Sequence, residues 1–434
     1  MKDTDIYNLC KKIQPIYRSI TGAGNQKTLK IFKKINPKLK ILHFNSGKKV
    51  FDWKIPKVWS IKDAWIKSIK TNKKIITFKE NFLSVMGYSQ PINRVISNKE
   101  LKKKIYSLKS QPNATPYVTS YYKKDWAFCM SENKKKKLKE NFYKIFIDSK
   151  FQNGSLPVGE IYIPGRSKKE ILLTTYICHP QMASNELSGP AILIFLSKWI
   201  EKIKKRKYSY RILFSSETIG TISYIHKKLH LLKKNVIGGY VLTCLGDNKT
   251  YSYLKSKSEN SLSDKIALQV MNKKKKKKIY RWAQRGSDER QFNSPGVELD
   301  LGSLMRSKYE TFKEYHTSED SLGKFVNKKT LNQSFKLLTE VILKFENSII
   351  PITKIICEPH LSKRNLHSHI NIKGLNRKEA QTILDFLSYS NGKFLLKEIT
   401  NKIGINNKKA LKLTYFLKKK NLIDFFKKNE NNYF

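Results

Sequence analysis

Between about residues 140 and 350 the chain alternates apolar, β-type runs with helical patterns, and this alternation restricts the possible folds more than any other feature. Residues 171–177, Ile-Leu-Leu-Thr-Thr-Tyr-Ile, form an unbroken apolar to β-branched run. A strand buried on both faces of a parallel sheet reads this way. A helix is predicted over 190–203, apolar all round its first half, then a strand over 210–214 and a helix over 219–232. Further strands are predicted over 239–245 and 297–304. Such a series predicts an α/β fold, an open and mostly parallel sheet with helices on both faces.

The flanks read differently. Residues 5–35 predict a helix carrying Ile6, Leu9 and Ile13, a break at Pro15, and a second helix through Leu29 and Phe32. From 40 to 130, short β-type runs at 49–53 and 74–78 are punctuated by Pro56, Gly87, Pro91 and Pro116, the texture of a small β-rich insert. After Pro351 a polar connector leads to helical patterns at 380–388, 396–403 and 408–420 and a short strand at 422–426. Three helices and a strand in so short a stretch are winged helix-turn-helix texture. At 434 residues, more than one core is expected. The expected division is 1–40 as N-terminal helices of the α/β domain, 41–135 as the inserted β-rich domain, 136–355 as the α/β domain, and 376–434 as the winged helix.

The formal net charge of +53 raises the question of nucleic acid. Only 11 of the 87 basic residues are Arg, the side chain that makes bidentate base and phosphate contacts. The Lys, Asn, Ile, Phe and Tyr bias is what an A+T-rich coding sequence imposes, so a nucleic-acid partner is compatible but not favoured. The Lys runs at 134–137 and 273–278 read as solvated loops or helix ends. Five scattered cysteines without a C-x-x-C pair point to a reducing, cytoplasmic setting. The start, Met1-Lys2-Asp3-Thr4-Asp5, lacks the apolar core of a signal peptide. No apolar run approaches the roughly 20 residues a membrane span needs, so no membrane insertion is expected.

In open α/β sheets, ligands bind outside the carboxyl ends of the strands. Those rims carry Cys178-His179-Pro180, Ser216-Glu217-Thr218, Gly246-Asp247, the loop Gly286-Ser287-Asp288-Glu289-Arg290, and Glu314-Tyr315-His316-Thr317-Ser318-Glu319-Asp320. Each has a plainer use. A lone His after a strand is commonly a satisfied polar residue, Glu217 favours the start of the next helix, and 316–320 contains a capping pattern. Together, His, Glu and Asp on successive strand ends are how a metal hydrolase assembles its site.

The series His179 … Asn185-Glu186-Leu187-Ser188-Gly189 … Glu217-Thr218-Ile219-Gly220 … Ser287-Asp288-Glu289-Arg290-Gln291-Phe292 … His316-Thr317-Ser318-Glu319-Asp320 resembles the motifs of the zinc aminopeptidase/glutamate carboxypeptidase family. Segments such as Pro15-Ile16-Tyr17-Arg18-Ser19-Ile20-Thr21-Gly22 and Leu242-Thr243-Cys244-Leu245-Gly246-Asp247 are closer still to a bacterial aminopeptidase-like branch, often associated with surface-polysaccharide gene clusters. That branch carries an inserted small β domain and a C-terminal winged helix. The resemblance covers nearly the whole chain.

The resemblance implies a metal-dependent hydrolase of an amide bond, acting on a small peptide or an N-acylated sugar. In that family an Asp bridges two zinc ions where Asn185 stands, and a Glu ligand occupies the position of Thr218. A neutral amide offsets the repulsion of two dications poorly, so one zinc per chain is the expectation. His179 and His316 are its expected nitrogen ligands, with Glu186, or else Asp247 or Asp288, as the carboxylate. Glu217 holds the general-base position. Two other functions fit the same chain: a binding scaffold on a degenerate peptidase fold, and a DNA-binding regulator acting through the winged helix. A homo-oligomer is compatible with either.

Overall fold

In the computed structural model, residues 5–364, 366 and 377–425 are described. Met1–Thr4, most of the polar connector before Arg377, and the end of the chain from 426 lie outside them. The described chain divides into two compact units, 1–165 with 169–341, and 166–168 with 342–434.

In the larger unit the predicted alternation becomes a mixed eight-stranded sheet. Its order is Lys40–Asn45, Ser155–Ile163, Ser209–Ser215, Glu170–Tyr176, Val236–Leu242, Gly302–Met305, Tyr251–Leu254 and Lys277–Tyr280. The four strands from Ser209–Ser215 to Gly302–Met305 are parallel to one another, and the next strand on each side joins them antiparallel. Every residue of Glu170–Tyr176 and Ser209–Ser215 is buried, and the middles of those runs, 171–173 and 212–214, are apolar throughout. The helices Ser188–Glu201 and Ile219–Asn235 follow those strands in the chain, and each buries most of its first half.

One polar network lies inside this sheet. Buried Arg211 forks onto Glu170, Nε to Oε2 at 2.5 Å and Nη2 to Oε1 at 2.9 Å, and its Nη1 donates to Glu160. It thereby ties three neighbouring strands together. The pairing is also what makes two buried carboxylates tolerable.

The β insert is a four-stranded antiparallel sheet in the order Lys74–Thr77, Val58–Ser68, Phe142–Gln152, Ile92–Ser97. It therefore takes in Phe142–Gln152, beyond the boundary expected at 135, and Lys40–Asn45 belongs instead to the central sheet. In the smaller unit, helices Arg377–Tyr389, Leu396–Ile403 and Asn407–Lys419 pack around Phe386, Ile399, Leu417 and Leu422. Strand Ile423–Asp424 pairs antiparallel with Ile352–Thr353. No helix among the described residues is long and apolar enough to cross a membrane.

Replacing Arg211 by Met should lower unfolding stability by about 3–5 kcal/mol, because Glu160 and Glu170 would stay buried without their partner. Urea unfolding of wild type and variant measures this.

Candidate active site

The strand Glu170–Tyr176 leads to Cys178 and His179 on the rim. A π-helical turn, Ala183–Leu187, then opens the helix Ser188–Glu201. The extra residue of such a turn redirects side chains and is frequent at functional sites. Asp320 holds this turn, its carboxylate accepting from the backbone N–H of Ser184 at 2.6 Å and Asn185 at 2.9 Å. Burial pushes the Asp320 carboxyl up to about 7.

Glu186 Oε2 lies 2.9 Å from His179 Nδ1. With Glu186 accepting as a carboxylate, Nδ1 carries the hydrogen, and when the ring is deprotonated its lone pair lies at Nε2. That Nε2 faces Glu217 Oε2 at 3.8 Å. On its other side Glu186 faces buried Arg18, Oε1 to Nε at 3.8 Å. Arg18 is fixed by donating to the carbonyls of Ile13 and Ile16 at 2.7 and 3.2 Å. Burial lowers the pKa of His179, but the charges of Glu186 and Glu217 outweigh it and the net direction is upward.

Glu217 follows the strand Ser209–Ser215, and its side chain is 21% exposed. Ser287 Oγ donates to Glu217 Oε1 at 2.5 Å. Thr218, with φ at +62°, makes the sharp turn into the helix Ile219–Asn235. Asp288 secures the turn, accepting from Thr218 N at 2.7 Å and Thr221 Oγ1 at 2.8 Å. Glu289, which sequence reasoning did not single out, is fully buried and accepts from four donors. These are the backbone N–H of Gly286 and of Ser287, the Tyr309 hydroxyl and the Ser303 hydroxyl, at 2.6–2.9 Å. It fixes the loop that brings Ser287 to Glu217.

His316 adopts φ of +54°, and its ring stacks on Tyr315 at 3.9 Å. Its ring centroid is 5.4 Å from that of His179. Tyr117 touches both, at 5.0 Å from His179 and 5.3 Å from His316, and its backbone N–H donates to His316 O at 2.8 Å. His316 Nε2 is buried without a hydrogen-bond partner. Burial, reinforced by His179, pushes its pKa down to about 3, so the ring is neutral.

Tyr117 belongs to the insert, which therefore contributes directly to the site. Tyr121 and Tyr122, with Tyr88 and Phe151, line a cleft of about 710 Å³. Burial, then the charges of Tyr122, Cys178 and Glu217, pushes the Tyr121 hydroxyl up to about 12. Trp126 packs against Phe128 in the insert's own core.

His179, Glu186, Glu217 and His316 are thus gathered on one rim. Asp247 has both oxygens engaged, with Lys249 N at 2.9 Å and Ser307 Oγ at 2.8 Å on Oδ1 and Ser307 N at 2.9 Å on Oδ2. Asp288 is equally occupied, by Thr218 N and Thr221 Oγ1. The expectation that either could stand in for Glu186 as the carboxylate ligand meets groups already engaged in these hydrogen bonds. Both brace loops. Cys178, His179 and Glu186 hold donor atoms within 4.8 Å of one another, but His179 Nδ1 and Glu186 already bond to each other. Burial, then Glu186 and Glu217, also holds the Cys178 thiol protonated. Asn185 donates from Nδ2 to Tyr176 OH at 2.8 Å and keeps Oδ1 buried without a partner.

Residues 7–348 match the family described as a domain of unknown function (DUF4910), and residues 349–425 match a winged helix-turn-helix family. A protein of Clostridium acetobutylicum, provisionally described as a polysaccharide biosynthesis protein with an aminopeptidase-like domain, is 42% identical over 92% of each chain. A crystal structure from the same organism, provisionally described as a peptidase, is 40% identical with a TM-score of 0.80, covering 97% of this chain and 96% of that one. The chain belongs to this aminopeptidase-like family. A zinc aminopeptidase of Bacillus subtilis superposes with a TM-score of 0.57 at 14% identity, over 79% of this chain and 95% of that one, and so shares the fold.

Asp288 yields a pH prediction. Burial, and next the charge of Glu217, raises its folded pKa from 3.8 to about 7. The fold favours the protonated carboxyl, so its stabilisation is intact below the ordinary pKa and is lost as pH rises through about 7. Metal-free wild type should lose on the order of 2–4 kcal/mol through this group between pH 4 and 8. Asp288→Asn should lose correspondingly less, as read from denaturant midpoints across that range.

Proposed function

We propose that the chain is a metal-dependent hydrolase of amide bonds, acting as an aminopeptidase or N-deacylase with one zinc ion per chain. One observation carries this reading. His316 Nε2 is neutral, buried and unpartnered, beside a second imidazole whose Nδ1 is held by Glu186 and whose Nε2 faces Glu217. A carboxylate behind a ligating His is the usual support of a zinc site.

His179 and His316 would hold the ion through Nε2, with Asn185 Oδ1 as the third donor. When bound, zinc supplies Lewis-acid polarisation of a carbonyl and acidifies water. Glu217 is the general base. Ser287 occupies its Oε1 and leaves Oε2 to take a proton from water and return it to the leaving amine. Glu186 orients His179 and fixes its tautomer. Tyr117 closes the apolar side of the two imidazoles, and Tyr121 and Tyr122 offer aromatic faces to the substrate.

The substrate is a small peptide or an N-acylated sugar, and the description of the C. acetobutylicum relative favours a sugar of polysaccharide biosynthesis. A cytoplasmic setting fits the five free cysteines. We assign the winged helix to packing or self-association. Its helix Asn407–Lys419 exposes Leu411, Tyr415 and Phe416 among five exposed lysines, and carries no Arg to make bidentate base contacts.

Elemental analysis of protein purified without chelator should find about one zinc per chain. Glu217→Gln should keep the metal and lose roughly 10²–10⁴ in turnover on a panel of aminoacyl and N-acetyl-sugar amides. His316→Ala should lose metal and turnover together. Loss of zinc in Glu217→Gln would make Glu217 a ligand. A wild type without zinc or turnover would favour a binding scaffold, or a regulator acting through the winged helix.

A further inference from the structure

A cleft of about 500 Å³, with none of His179, Glu217 and His316 in its lining, is lined by Lys273, Lys274, Lys275, Lys276, Lys329 and Arg306, with neutral polar residues around them. No carboxylate is among its lining residues. Arg306 is the unusual member. It is only 3% exposed, and its Nε and Nη1 are buried without a hydrogen-bond partner. Its guanidinium lies 3.9 Å over the ring of Tyr251. Among the described residues no carboxylate pairs with it. A buried cation with idle donors is unfavourable unless something meets it.

The surroundings are positive as well. Of the four lysines of the run that line the cleft, Lys274 pairs with Glu340 at 2.8 Å, while Lys275 and Lys276 are exposed. The helix Lys328–Asn347 begins at the cleft, where Lys329 and Thr330 line it, and a helix start carries partial positive charge. A monovalent carboxylate would leave most of this charge unopposed. A group with several negative oxygens would not, and the planar fork of Arg matches phosphate.

We propose that this cleft binds a small molecule through a pyrophosphate group, with Arg306 as the buried anchor and Lys275 and Lys276 at the mouth. The Lys run at 273–278, which reads as a solvated loop in the sequence, then has a use. This site is independent of the hydrolytic reading and does not need the metal.

The test is calorimetric titration of the full chain, at physiological salt, with inorganic pyrophosphate, a nucleoside diphosphate and a short single-stranded oligonucleotide. Saturable one-to-one binding of pyrophosphate or of the diphosphate is expected, the first marking the free anion and the second its ester. Arg306→Gln should weaken it at least tenfold, and Lys275→Gln/Lys276→Gln severalfold. Lys136→Gln/Lys137→Gln, in the other lysine run, should change it less than twofold. If Arg306→Gln fails to fold, the two exposed-lysine variants decide the matter. Binding of the oligonucleotide alone, equal weakening in both lysine variants, or no saturable binding of either diphosphate would overturn the proposal.

Discussion

The carboxylate of Glu186, buried between His179 and Arg18, is the contact on which the rest of the rim depends. It accepts the Nδ1 hydrogen of His179, and that choice of tautomer turns the Nε2 lone pair toward Glu217. Arg18 faces the same carboxylate from the N-terminal segment, so a region remote in sequence helps to set the protonation pattern of the site. Burial raises the Glu186 pKa on balance, with His179 first and Arg18 next opposing it. Neutral Glu186 would no longer fix which nitrogen of His179 is free.

The other buried carboxylates do a different job. Asp320, Asp288, Glu289 and Asp247 each accept hydrogen bonds from loop backbone or hydroxyl groups. Each pins one rim loop: the turn with Asn185, the turn with Thr218, the loop with Ser287, and the loop after Val236–Leu242. Rim loops cannot bury apolar side chains in the way the strands below them do, so satisfied buried acids supply their rigidity. The positive φ of Thr218 and of His316 is sustained within this framework.

Much of the fold was legible because its central strands are buried on both faces. A run such as 171–177 has no polar side to confuse the pattern. The β insert was harder to delimit, since Phe142–Gln152 is a strand in either sheet and only its pairing with Val58–Ser68 assigns it. His179, Glu217 and His316 could be read from strand-end position and motif. The roles of the acids could not, because a carboxylate at a strand end looks the same whether it faces a cation or braces a loop. Motif position makes Glu186 a candidate ligand, and the π-helical turn, whose extra residue is invisible in spacing, sets it against His179 Nδ1. Tyr117 reaches the histidines only through the packing of the insert, and Arg306 is one arginine whose lack of a partner exists only in three dimensions.

The central claim is that the open nitrogens of His179 and His316, and not the thiol of Cys178, form the metal-binding face. X-ray absorption at the zinc edge of the zinc-loaded protein tests it most directly. The account predicts a first shell of nitrogen and oxygen only, at about 2.0–2.2 Å, with two imidazole ligands. A sulfur scatterer at about 2.3 Å, or a second metal at roughly 3.5–4 Å, would contradict it.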